Sequence, residues 1–119
     1  MSFQKPLGDL VARVPGALGA ILADWEGEAV DQVSLMDAYE LKVIGAHKGV
    51  ILTSLRKTLN RLGEDELKEI VITTDRTQTL VLPVTEEYFL VLTLLRGDVL
   101  GRALFEARRC VVRLKEEIV

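Results

Sequence analysis

One cysteine, one histidine and one tryptophan are all that these 119 residues hold of three side-chain types on which many active sites depend. A lone Cys110 excludes an intramolecular disulfide framework and fits a reducing compartment. It falls between Ala107 and Val111 on a helical stretch with no activating base beside it, and so reads as a core thiol, not a nucleophile. A lone His47 lacks the partners that a catalytic triad or a zinc site needs, and reads as a surface residue. Basic charge is also short. Fifteen Lys and Arg face eighteen Asp and Glu, for a net charge of −3. With no polybasic block, nucleic acid is not an expected partner. The longest apolar runs, Leu80–Leu82 and Phe89–Leu92, fall far below a membrane span. The first ten residues, MSFQKPLGDL, hold no apolar signal core. The expectation is one soluble cytoplasmic domain over residues 1–119, without membrane insertion. Gly16-Ala-Leu-Gly19 lacks the lysine and flanking glycines of a phosphate loop. Asp24, Glu26, Glu28 and Asp31 cluster without EF-hand spacing and read as solvated turn residues. No metal, cofactor or catalytic set is expected, and the chain is not expected to be an enzyme.

What is present is apolar and periodic. Hydrophobic residues are 49% and charged residues 28% of the chain, as in a globular domain. Leu7, Leu10, Val11 and Val14 recur at helical spacing, with Pro6 in the first turn and Pro15-Gly16 as the stop. Ala17 to Ala23 reads as a strand, Asp24 to Gly27 as a turn in which Gly27 can take positive φ, and Glu28 to Val33 as a return strand. Ser34 is placed to cap a long helix that runs to about Leu62 and closes on Gly63. Leu67 to Thr73 is rich in β-branched residues, and Asp75-Arg76 is a hairpin tip. Thr77 to Val84 returns, with Pro83 favouring an edge or a bulge. Tyr88 to Leu95 is apolar on both faces, as in a central strand. A last helix from about Asp98 to Glu117 carries one narrow apolar stripe.

The long central helix carries two apolar faces. At about 100° per residue, Leu41, Ile44, Ile51, Leu52, Leu55, Leu59 and Leu62 share one side. Met36, Tyr39, Val43, Ala46 and Val50 share nearly the opposite one. A surface helix of a monomer needs a single stripe. A five-stranded sheet is about 24 Å wide and this helix about 42 Å long, so the second stripe points to a second copy or a partner. Which stripe faces the sheet stays open. Gly45-x-x-x-Gly49 fits close approach by a neighbouring helix or by the domain's own sheet. Arg102, Arg108, Arg109 and Arg113 read as a solvated face shared with Glu106, Glu116 and Glu117, with a surface for an acidic partner as the alternative. Trp25, at a hairpin tip, is a contact anchor or folds back on its own sheet.

The order helix, two strands, helix, three strands, helix resembles the roadblock/dynein light chain family over nearly the whole chain. Val14 to Leu22 is similar to that family's first helix-to-strand junction, and Asp24 to Val30 to its acidic-glycine hairpin. Leu80 to Val84 and Tyr88 to Leu95 are similar to its last two strands, and Val99 to Arg102 to the opening of its final helix. The resemblance implies an α/β, profilin-like sandwich with a five-stranded, mainly antiparallel sheet and helices on both faces. It implies a dimer in which third strands pair and central helices pack. The dimer or partner surface then comprises Met36, Tyr39, Val43, Ala46, Val50, Leu67, Ile70 and Ile72, with Trp25 as a further contact. It also implies service to a Ras-like small GTPase, in some bacterial members as an activator that reshapes the GTPase without an arginine finger. A structural adaptor of a motor or signalling complex and a small-molecule sensor are the alternatives.

Overall fold

The computed structural model describes residues 2–26, 28–35, 37, 54, 57 and 66–118. The long central helix expected from Ser34 to Leu62, with Met36, Tyr39, Val43, Ala46, Val50 and His47, lies almost wholly outside the described residues. The described elements are α1 (Gln4–Arg13), β1 (Ala17–Asp24), β2 (Ala29–Ser34), β3 (Ile70–Thr73), β4 (Thr77–Pro83), β5 (Tyr88–Leu95) and α2 (Leu100–Ile118). The strands form one antiparallel sheet in the order β2-β1-β5-β4-β3. β5 is therefore central, as its two apolar faces require.

Alternation along the strands sends side chains to two buried layers. On one face Ala20, Leu22, Leu80, Leu90 and Leu92 pack with Leu7 and Leu10 of α1 and with Ala103, Ala107 and Leu114 of α2. On the other, Ile21, Ala23, Val81, Phe89 and Val91 cluster with Trp25, Leu67 and Ile70. Both described helices lie on the first face. The helix expected on the second face falls outside the described residues. α1 ends where Pro15 follows Val14, and Gly16 sits at φ 81°, a conformation that L side chains rarely adopt. The Gly16 carbonyl then accepts a hydrogen bond from the Leu95 amide at 2.8 Å, which starts β1 beside β5.

Three expectations are corrected. The strand expected over Leu67–Thr73 begins only at Ile70. Glu69 is drawn toward α2 by Arg108, and Leu67 turns into the second-face cluster. Ser34 pairs with Gly19 as the last residue of β2. The β1–β2 register thus continues one residue past the expected strand. Glu106 is buried, not part of a solvated face. It points toward Arg13 at the end of α1, 4.0 Å from one oxygen, while Arg109 of its own helix stands 3.5 Å from the other.

Candidate functional site

β3 is the last strand of the sheet, and its sequence Ile-Val-Ile-Thr is β-branched throughout and uncharged. The register settles which of its groups face outward. The Thr74 amide donates to the Thr77 carbonyl at 2.9 Å, so even-numbered residues of β3 turn their main-chain groups to β4. Ile70 and Ile72 do so opposite Val81 and Thr79. Antiparallel alternation then leaves the amides and carbonyls of Val71 and Thr73 on an edge that no described strand covers. Natural edge strands are usually blunted by a lysine, a proline or a bulge. β3 has none within its length; Lys68 and Glu69 precede it and Asp75 and Arg76 follow it. Val71 is 37% exposed, while Ile70 and Ile72 are half-buried.

The residues singled out in the sequence are not all brought together. Leu67 and Ile70 join one cluster with Trp25, whereas Ile72 lies further along the same face. Trp25 folds back, its ring 4.9 Å from that of fully buried Phe89 and tilted by 37°. That stack uses the indole as a lid on Phe89 and leaves part of it at the surface. Asp24 accepts hydrogen bonds from the amides of Glu26 and Glu28, both at 3.0 Å, so this acidic residue builds the hairpin turn. Asp31 accepts from the Phe3 amide at 2.9 Å and caps α1 from β2. Among the described residues no group of three or more His, Cys, Asp or Glu is placed to hold a metal.

Pro83 ends β4 opposite Phe89. The Val84 amide donates to Tyr88, so the missing amide of Pro83 faces the other way, toward the stretch that β3 leaves uncovered. A cleft of about 680 Å³ opens there, floored by Leu82, Pro83 and Val111 and walled by Glu69, Arg108 and Lys115. The Arg108 guanidinium holds the Glu69 carboxyl below its ordinary value, mainly through their hydrogen bond. Burial pushes the Cys110 thiol up to about 12, and its Sγ lies 3.6 Å from the Pro6 carbonyl. The thiol is thus protonated and enclosed, as a core residue.

Three arginines bear on any role toward a phosphate. Arg76 and Arg96 are exposed at one corner, joined by the hydrogen bond from the Arg96 amide to the Arg76 carbonyl at 2.8 Å. Arg102 is already committed, its Nε donating to the Arg13 carbonyl at 2.9 Å. Two features were missed in the sequence. The Glu69–Arg108 pair spans 39 positions and has no local signature. Phe105 stands off the apolar stripe of α2, and a helical wheel alone would have flagged it.

The sequence model of the Roadblock/LC7 domain family matches residues 4–94. The Roadblock/LC7 domain from Streptomyces avermitilis superimposes with a TM-score of 0.87 at 18% identity, covering 97% of this chain and 96% of that one. MglC from Myxococcus xanthus gives 0.69 at 25% identity, covering 98% and 99%. The gliding protein MglB from Thermus thermophilus gives 0.83 at 20% identity, covering 96% and 86%. No curated protein sequence matches the chain.

Proposed function

The chain belongs to the Roadblock/LC7 domain family, and on that premise we propose that it is a dimeric regulatory platform for a small Ras-like GTPase. Residues 1–119 form a single roadblock domain in this reading, cytoplasmic and with no active site of its own. The observation that carries it is β3, an uncharged, β-branched edge strand whose Val71 and Thr73 main-chain groups face outward. An edge of this kind is a template for strand addition. Pairing with the same strand of a second copy would join two sheets into one. Ile70, Ile72 and Leu67 would stand at that seam, and Met36, Tyr39, Val43, Ala46 and Val50 would supply the helical part of the interface. Likeness to the gliding protein MglB supports a place for this platform in a motility system.

The platform acts by differential affinity. A partner changes a GTPase only insofar as it binds one conformation of the switch regions better than another. An arginine finger is not invoked, because Arg102 is tied to the end of α1. Arg76 and Arg96 remain as contacts. A sensor would need a largely apolar, enclosed pocket. The cleft beside Pro83 is walled by charges instead.

The test has two arms. Light scattering at micromolar concentration should give twice the 13.2 kDa chain mass. Affinity capture from native lysate, with and without a GTP analogue, should enrich a small GTPase in a nucleotide-dependent way. A monomer in the first arm, or nucleotide-independent capture in the second, contradicts the reading. With the purified GTPase, alanine at Arg76, Arg96 or Arg102 should each lower turnover by far less than the roughly 10³-fold of a true finger.

A further inference from the structure

α2 buries its apolar stripe against the sheet, yet Phe105 and Val112 stand on its outer side, each 57% exposed. They are seven residues apart and so share one face of the helix, with Arg109 between them. The Arg109 guanidinium lies 5.7 Å from the centre of the Phe105 ring. An exposed aromatic ring held by a cation is a common anchor of protein interfaces. Nothing in the packing of the described residues uses it.

The charge around this anchor is mainly basic, with Glu116, one turn beyond Val112, as its exposed acidic member. Arg13 and Arg109 share the single carboxylate of Glu106, which is 8% exposed. Arg102 joins them through the Arg13 carbonyl. Two guanidiniums thus stand at one carboxylate, and a third is held beside Arg13. α1 and α2 together carry seven Lys and Arg against four Asp and Glu, although the chain as a whole has a charge of −3. The helical face is therefore the basic side of an acidic protein.

We infer that the outer face of α2, centred on Phe105, Arg109 and Val112, docks an acidic segment of a partner protein whose apolar residues cover Phe105 and Val112. A second copy of this chain is the wrong occupant. A twofold interface sets a patch against itself, and with Arg109 at the centre it would set that guanidinium against its own copy. Nucleic acid is also disfavoured, since two apolar side chains occupy the centre of the patch and the net charge of the chain repels phosphate. This surface is separate from the edge of β3 and does not depend on the GTPase reading. A dimer joined at β3 would present this surface twice.

The test places a photo-reactive benzophenone amino acid at position 105 of the full chain in its native cell, with the cross-linked peptide sequenced by mass spectrometry. The expected adduct is a peptide of another protein, rich in Asp and Glu and carrying an apolar residue. That peptide, synthesised, should bind the purified protein, weaken with added salt, and lose at least tenfold in affinity to Arg109→Gln and to Phe105→Ser. Both replaced side chains are exposed, and unchanged melting temperatures will show that the variants fold. Retention of GTPase capture by both variants keeps this outcome separable from the previous proposal. An adduct to this chain itself, to nucleic acid or to a non-acidic segment overturns the inference, as does no adduct. Affinity unchanged in both variants does so too.

Discussion

The Asp31 carboxylate accepts the Phe3 amide at 2.9 Å, so a residue of β2 caps the helix α1 that precedes it by 28 positions. The same carboxylate holds the side-chain amide of Gln4 and the amide of Gln32. Phe3 itself offers α1 no side-chain cap. Asp31→Ala should therefore cost about 1 kcal/mol, the usual worth of a helix cap. In a domain of this size that lowers the melting temperature by about 4 °C. Asp31→Asn, which keeps an acceptor, should cost less. Calorimetry of the two variants checks the order, and equal losses would refute the capping role.

Trp25 rests on Phe89 at 4.9 Å. Its truncation to alanine should cost about 2 kcal/mol, below the range for a fully buried tryptophan because the residue is only partly buried. Trp25→Phe should recover most of that loss. As the only tryptophan, it reports its own environment: native emission should shift to the red on unfolding in urea. A variant that melts like the native protein but loses partner binding would make Trp25 an anchor and not a lid.

The edge of β3 makes a sharp prediction about assembly. The Val71 amide faces outward, so Val71→Pro removes a donor that the β3–β4 ladder does not use. The variant should fold and run as a monomer in light scattering. Ile72→Pro, whose amide faces β4, should unfold the edge instead. A dimer that survives Val71→Pro would place the interface elsewhere.

Acid should loosen the contact between α2 and the approach to β3. The Glu69 carboxyl is lowered from its ordinary 4.5 by the hydrogen bond from Arg108. A depressed carboxyl contributes stability that is fully present above 4.5 and is lost as pH falls through the lower, folded value. Arg108 is more than half exposed, so the contribution should stay below about 1 kcal/mol. Urea midpoints at neutral pH and at pH below about 4 should converge for Glu69→Gln relative to the native chain. Identical pH slopes in the two proteins would remove the pair from the account.

The Cys110 thiol gives the opposite limb. Burial raises it from 9.0 to about 12. The unfolded thiol ionises first, so its contribution is intact below pH 9 and is lost as pH rises toward 12. Native protein at about pH 8 should react with a thiol reagent only as fast as it unfolds. Rapid labelling without denaturant would contradict the enclosed thiol.

Strand and helix boundaries came close to the mark wherever one local signal acted alone. The periodicity of Leu7, Leu10 and Val14, the break at Pro15-Gly16 and the doubly apolar run Tyr88–Leu95 each report a single short-range rule, and each element stands where that rule puts it. The family was legible as well, because it is carried by the order of elements, which is written along the chain. What tertiary structure decided was every partner across the fold. Asp31 looked like a turn carboxylate until α1 arrived above it. Glu69 looked like a strand residue until Arg108 drew it toward α2. Glu106 looked solvated until α1 covered it beside Arg13. Each is a polar group whose alternatives are water or a distant residue, and the choice depends on the approach of segments 28 to 93 positions away. Apolar residues face no such choice, since burial anywhere in the core satisfies them. Sequence thus determines most of the apolar core and the order in which the elements follow, whereas only the folded chain determines which charges meet, which polar groups are buried, and which edge and helix face the described residues leave uncovered.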